Sequence, residues 1–194
     1  MDKLKIENTD YYFIHIPKNA GTSFIKQFCP NSDGLGSHFP IRLYSKVKTL
    51  AIVRHPKDRL ESIYNYSKME KSYWHSQDGS TTYGKNELYD YCSTHSYSEF
   101  VKAVCEENKF PNNIHLLPQW FWLYDEPNIR PSTKIIKMET LNKGLSEFFQ
   151  KDIELMKINT SKKLNHLYTR QMMDSIQKYY EQDFNSFGYT MGWV

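Results

Sequence analysis

The sequence predicts an α/β domain with a mainly parallel central sheet flanked by helices. Two short apolar runs, 11–16 and 49–53, have the β-branched and aromatic composition of buried strands. Each is followed by a turn and a helical pattern, and a third strand-like run occurs at 133–138. Strands that alternate with helices favour a parallel sheet covered on both faces. A chain of 194 residues fits a single domain, which we expect to span 1–194.

The other elements follow from apolar periodicity and from the positions of glycine and proline. Helices are predicted at 22–28, 56–70, 97–108, 141–150 and 169–184, with Pro56 in the first turn of the second and Ser98 as the cap of the third. Residues 35–45 are predicted to form a loop or a short strand, and 115–124 form a compact apolar and aromatic segment. Residues 71–96 are polar, which predicts a long excursion that serves as a mobile lid.

Composition and charge argue against several classes of protein. The net charge of +3 is smaller than the clustered excess typical of nucleic-acid-binding proteins, so we expect no nucleic-acid partner. The three cysteines lack CxxC spacing and the seven histidines lack metal-ligand spacing, so we expect no metal. The N-terminus has no apolar leader and no run is long enough to cross a bilayer. We therefore expect a cytoplasmic protein; the alternative is a Golgi-type protein trimmed of its anchor, and the oligomeric state is left open.

The first strand leads into a segment suited to an anion. Backbone N–H groups at a helix N-terminus, together with the helix dipole, attract phosphate or sulfate. Lys18 adds a full charge, Gly21 lets the backbone approach closely, and hydroxyls follow in the first turn. The predicted ligands are Lys18, Asn19, Ala20, Gly21, Thr22 and Ser23. The lysine precedes the glycine and the next strand ends in an arginine, so the segment is not a Walker motif and a site for ATP with Mg²⁺ is disfavoured.

A second anion site is predicted where the next strand ends. Arg54 directly follows a buried strand, an expensive place for a charge that lacks an anionic partner. Arg59 and Ser62 lie three residues apart on the following helix and so share a face. We expect Arg54 and Ser62 to bind one terminal phosphate, with Arg59 either supporting it or forming a structural salt bridge.

Together these two segments resemble the 5′-phosphosulfate loop and the 3′-phosphate motif of sulfotransferases that use 3′-phosphoadenosine 5′-phosphosulfate (PAPS). The pattern HIPKxAGTS…VRxPxxRxxS is similar to that of the carbohydrate and heparan sulfate 2-O-sulfotransferase-like branch. The resemblance continues in an H-x-x-P-Q segment at 115–119, an E-x-L element at 139–141 and a Y-x-x-D-F…F-G-Y ending at 180–189. One departure is His55, where the family often has Asp. The resemblance implies the P-loop-like sulfotransferase fold.

The resemblance also implies an activity, a donor and a set of roles. The protein would transfer a sulfuryl group from PAPS to an acceptor hydroxyl, on a saccharide or a small alcohol, by in-line transfer without a metal. Lys18 would stabilise the developing charge, and His38 would be the general base, since it matches the catalytic histidine of related enzymes. His115 is the second candidate for the base. His15, inside the first strand, is expected to be a packed and hydrogen-bonded histidine.

Two other functions stay open at this stage. One is a non-catalytic module that binds 3′-phosphoadenosine nucleotides, against which the intact Lys18 and a plausible base count. The other is a small-molecule kinase, which the missing Walker residues disfavour.

Overall fold

Six strands and eight helices occupy the described residues. The computed structural model describes residues 3–6, 9–29, 38–43, 47–69, 87–130, 132–158 and 166–192. The strands are β1 (Lys3–Ile6), β2 (Thr9–Ile14), β3 (Lys48–Val53), β4 (Tyr124–Asp125), β5 (Asn128–Ile129) and β6 (Thr133–Lys137). The helices are α1 (Gly21–Phe28), α2 (Pro56–Ser67), α3 (Glu87–Thr94), α4 (Tyr97–Cys105), α5 (Gln119–Leu123), α6 (Leu141–Phe149), α7 (Arg170–Tyr179) and α8 (Glu181–Phe187).

The central sheet has four strands in the order β1-β2-β3-β6. β2, β3 and β6 are parallel, and β1 joins β2 as an antiparallel edge. β4 and β5 form a separate short hairpin. The predicted α/β class with a mainly parallel sheet is therefore confirmed. The strand β1 was not predicted, because its alternating Lys and apolar residues lie in a polar N-terminal segment.

Helices cover both faces of the sheet, and β3 shows how the sequence dictates this. Its side chains alternate between the faces, and all of residues 49–53 are buried. Leu50 and Ile52 join a core with α1 and α6, whereas Ala51 and Val53 join a core with α5 and α8. A strand buried on both sides needs a continuous apolar run, which is the pattern that identified it in the sequence.

A third core lies among α2, α3, α4 and α7, and it corrects the expected excursion. Leu88 and Cys92 of α3 are fully buried in that core. Residues 87–94, expected to belong to a polar lid, are thus a packed helix. The rest of the predicted lid, residues 71–86, lies outside the described residues.

Two helix boundaries also differ from prediction. The cap of α4 is Ser96, not Ser98: the Ser96 hydroxyl accepts from the Glu99 N–H and the Glu99 carboxylate accepts from the Ser96 N–H. This S-x-x-E capping box was present in the sequence. The predicted helix 169–184 is two helices that meet at Tyr180, the cap residue of both, whose buried hydroxyl donates to the Leu116 carbonyl.

The remaining differences are small. α2 ends at Ser67, short of residue 70. Within 35–45, the described residues include one 3-10 turn, Ile41–Leu43. No helix in the described part of the chain combines the length and apolar character needed to cross a bilayer.

Candidate functional site

The two predicted anion segments meet at one edge of the sheet. β2 and β3 are parallel neighbours, with Ile14 opposite Ala51, so the loops that follow them emerge side by side. Ligands of open α/β sheets bind outside the carboxyl ends of the strands. Lys18 and Arg54 are brought close enough there for the charge of Arg54 to lower the pKa of Lys18.

The loop before α1 has the backbone geometry of an anion site. Lys18 and Ala20 both adopt left-handed conformations, with φ of 65° and 59°. Successive residues of mixed handedness turn backbone N–H groups toward a common point. No side chain of the described residues caps α1, so the N–H groups of Gly21 and Thr22 in its first turn are available to a ligand.

Lys18 contacts an aromatic ring but pays for its burial. Its Nζ lies 3.4 Å from the centre of the buried Tyr66 ring, a contact that favours the charged form. Burial, and secondly the charge of Arg54, lowers the pKa of Lys18 to about 7. An anion bound beside Lys18 and Arg54 would relieve both costs, because it would stabilise the charged forms of both side chains.

Arg54 keeps its guanidinium available while its backbone is fixed. Burial lowers the pKa of Arg54, and the carboxylates of Asp58, Glu139 and Glu61 oppose that shift. Within the described ranges, no salt bridge pairs the Arg54 guanidinium with any of these acids. No hydrogen bond there links Arg54 to the half-buried Ser62 either, so their joint binding of a phosphate stays a prediction.

Gln119 is the buried residue that ties the site together. It is 0% exposed, and its Oε1 accepts from the Arg54 N–H (2.8 Å) and from Asn19 Nδ2 (2.7 Å). Its Nε2 donates to the Arg54 carbonyl (2.8 Å) and to Asp183 (3.2 Å). One amide therefore fixes the backbone of Arg54 on both sides and joins it to the Lys18 loop.

We expect Gln119→Met to destabilise the fold by about 3 kcal/mol, since each buried polar group left without a partner costs about 1–3 kcal/mol. The carbonyl and N–H of Arg54 would lose their partner, and the Asn19 amide would lose one of its two hydrogen bonds. Urea unfolding measures the change, with the exposed Gln171→Met on α7 as the matched control. A loss no greater than that of the control would contradict the bridging role.

Three of the predicted ligands direct their side chains into the protein. Asn19 Nδ2 also donates to the Ile52 carbonyl (2.8 Å). The Ser23 hydroxyl accepts from the Ile158 N–H (3.1 Å). Arg59 donates to three backbone carbonyls. The sequence predicts that the Ser23 hydroxyl and the Arg59 guanidinium contact a phosphate. In the structure both groups form hydrogen bonds with backbone atoms instead.

Three histidines cluster beside the Lys18 loop. His38 lies between His15 and His115, with ring centroids 4.3 Å and 5.9 Å away. His38 Nδ1 is 2.7 Å from the His15 carbonyl oxygen. A carbonyl only accepts, so Nδ1 carries the proton and the Nε2 of neutral His38 holds a free lone pair. Burial lowers the pKa of all three imidazoles, that of His115 to about 3.

His15 is packed as expected, but the expected hydrogen bond to its ring is not found at Nδ1 in the described part of the chain. It is 6% exposed, and its Nδ1 has no partner among the described residues. Its ring lies against Gly21, where an added Cβ would overlap His15 Cδ2 and Nε2. The sequence predicts that the bare backbone of Gly21 serves the ligand; in the structure the His15 imidazole also requires it.

We expect Gly21→Ala to destabilise the protein by about 1–3 kcal/mol, because it overpacks a filled interior. The His15 ring must shift, and the backbone carbonyl of the same residue accepts the hydrogen bond that holds His38. Thermal unfolding measures the loss. Gly192→Ala is the control, since no atom of the described residues lies within 4 Å of a Cβ there. Equal melting temperatures for the two variants would contradict the contact.

His55, which stands where the family often has Asp, performs the capping role expected of that residue. Its Nδ1 accepts from the Lys57 N–H (3.3 Å) and caps α2, as an Asp side chain would. Its Nε2 lies 3.2 Å from the Thr190 carbonyl, and its N–H donates to Glu139 (2.6 Å). The departure at this position thus preserves the helix start and adds a tie to the C-terminal segment.

Sequence reasoning missed the supporting residues, not the segments that contain them. Gln119, Glu139 and Asp183 all fell in motifs noted as resemblances, but no role followed from them. Asp183 is 0% exposed and accepts from the N–H groups of Gln119 and Trp120, at the start of α5. A polar residue inside an apolar segment was the available signal, since such a residue is buried only with partners.

Fold and site together define an α/β protein with a candidate anion site at one edge of the sheet, beside a cluster of three histidines. A family model described as "Sulfotransferase family" matches residues 31–190, and the chain belongs to that family. The match begins after the Lys18 loop, so that loop is assigned by its geometry and its motif. Searches of the curated proteins and of the solved structures found no match.

Proposed function

We propose that the protein is a PAPS-dependent O-sulfotransferase that sulfates a hydroxyl, most simply a sugar hydroxyl as in the 2-O-sulfotransferase-like branch. The observation that supports this donor is a pair of half-buried cations: Lys18, just before α1, whose N-terminus no described side chain caps, and Arg54, just after β3. Burial disfavours the charge of both side chains, and Arg54 further disfavours that of Lys18, so an anionic ligand that contacts both would stabilise them.

PAPS supplies the sulfuryl group on a phosphosulfate anhydride. Lys18 and the N–H groups of Gly21 and Thr22 bind the sulfated end and stabilise its negative charge. Arg54 and Ser62 bind the 3′-phosphate end. Asn19, Ala20, Ser23 and Arg59 shape the site, contributing backbone contacts and position.

His38 acts as the general base. Its Nδ1–H is held by the His15 carbonyl, so Nε2 accepts the proton of the acceptor hydroxyl. Its lowered pKa keeps the imidazole neutral and ready to accept at physiological pH. His115 stays the second candidate, although its pKa of about 3 makes it the weaker base.

Thermal-shift ranking tests the donor. At a hundred times its Kd, 3′-phosphoadenosine 5′-phosphate (PAP) should stabilise the protein by about 2.7 kcal/mol. For a chain of this size that raises Tm by about 5–10 °C. ATP with Mg²⁺ at the same concentration should raise it far less. A larger shift with ATP and Mg²⁺ would favour a kinase instead.

Radiolabelled PAPS offered with a panel of glycans and small alcohols tests the transfer and identifies the acceptor class. Label is expected on a saccharide. Binding of PAP without transfer to any acceptor in the panel would favour the non-catalytic module. Label on small alcohols alone would refute the carbohydrate assignment while leaving the sulfotransferase activity intact.

A further inference from the structure

Arg59 is a buried cation that the proposed chemistry does not use as a ligand. It is 1% exposed, at the end of the first turn of α2. Its Nε donates to the Pro17 carbonyl (3.0 Å), its Nη1 to Leu117 (2.9 Å) and its Nη2 to His115 (2.8 Å). All three partners are backbone carbonyls, and no salt bridge to Arg59 occurs in the described part of the chain.

The three carbonyls belong to the two segments that hold the chemistry. Pro17 immediately precedes Lys18, whose left-handed backbone begins the anion loop. The other two carbonyls flank the turn that places the His115 ring against His38. A planar guanidinium with donors in fixed directions can hold several acceptors in one geometry, which a lysine ammonium cannot.

We propose that Arg59 is a positioning residue that holds the Lys18 loop and the His38–His115 pair in one frame, and is not itself a ligand of the donor. This rests on the proposed function and deepens it. The three hydrogen bonds of the guanidinium, referred to below as the fork, fix the distance between the anion loop and the base. Its positive charge keeps the neighbouring imidazoles unprotonated.

The charge effect involves every ionisable group that faces the pair. The charge of Arg59 lowers the pKa of His38, and the hydrogen bond to the His15 backbone raises it. The pKa of His115 is lowered by the charges of His38, Arg59 and Lys18. Arg59 itself has Asp183, Tyr180 and Tyr179 as compensating neighbours and Arg54 as an opposing one.

Two variants separate the fork from the charge. Arg59→Lys keeps a charge and loses the fork, whereas Arg59→Gln loses both. The control is Arg170→Gln, which removes the same charge from an exposed position on α7. Histidine C–H NMR titration, assigned with His38→Gln, measures the pKa of His38, and calorimetry measures the affinity for PAP.

We expect Arg59→Gln to raise the His38 pKa by roughly half a unit or more, and Arg59→Lys to leave it near the wild-type value. Both should bind PAP at least about tenfold more weakly, because three oriented bonds are lost. The control should match the wild type in both measurements. If Arg59 only stabilised the fold, the His38 pKa would not depend on whether residue 59 carries a charge.

A folded Arg59→Gln protein that matches Arg170→Gln in both measurements would overturn the proposal. If Arg59→Gln does not fold, Arg59→Lys decides: wild-type affinity for PAP overturns the proposal, and a tenfold loss with an unchanged His38 pKa supports it. If the wild type itself does not bind PAP, the donor assignment fails. The His38 titration then still tests Arg59 by itself.

Discussion

Replacement of Lys18 by Met is expected to lower the rate of sulfuryl transfer by about a hundredfold to a thousandfold. This is the usual cost of removing one preorganised group that stabilises charge in the transition state. Methionine keeps the length of the stem and its packing on Tyr66. Transfer from labelled PAPS to the acceptor found in the panel measures the loss.

Lys26→Met is the matched control for this variant. Lys26 is exposed in the last turn of the same helix, α1, away from its N-terminus. It should transfer sulfate at the wild-type rate. A Lys18→Met protein within twofold of its control would remove Lys18 from the chemistry.

The pKa of Lys18 gives this prediction a pH dependence. The folded value of about 7 lies below the ordinary 10.5, so Lys18 costs the fold stability below about pH 7. That cost is relieved as the pH rises toward 10.5. Binding runs the other way, because an anion needs the charged form. We expect the affinity for PAP to fall by about tenfold per pH unit from pH 7.5 to 9.5, and to be level in Lys18→Met.

Replacement of His38 by Gln is expected to lower transfer by about a hundredfold to ten-thousandfold, the usual contribution of a general base. Glutamine retains a donor for the His15 carbonyl but has no lone pair that accepts a proton at neutral pH. Binding of PAP should be unchanged. Steady-state kinetics with calorimetry on the same protein separates the two effects.

His95→Gln serves as the control, since His95 stacks on Tyr91 in another part of the fold. In the wild type, the acid limb of kcat/KM should lie below pH 6.5, because burial lowers the pKa of His38. Full activity in His38→Gln, with loss in His115→Gln, would assign the base to His115 instead.

Much of the fold and the outline of the site were predictable from the sequence. The apolar run of β3 identified a strand buried on both faces, and the motifs around Lys18 and Arg54 predicted two anion segments, which the structure brings side by side. The boundary errors arose where a tertiary contact overrides the local pattern. The bond from Tyr180 to Leu116 coincides with the break in the last predicted helix, and the core around Leu88 turned an expected lid into a helix.

The roles within the site were less predictable, because a side chain's type does not reveal its direction. The side chains of Arg59 and Ser23 are of types that bind phosphate, yet both form hydrogen bonds with backbone groups of the protein. Gln119 had no local signal beyond a polar residue in an apolar segment. Its four partners come from three separate parts of the chain, and only the folded arrangement brings them together.

By itself, the sequence determined which residues could serve: strand composition identified the three parallel strands, and the order of cation, glycine and hydroxyl predicted an anion loop. Only the tertiary structure decided which of these side chains are turned into the protein. That decision depends on burial, since a buried donor must find an acceptor within the protein. Arg59 found three carbonyls there, whereas Arg54 at the sheet edge has no salt-bridge partner among the described residues.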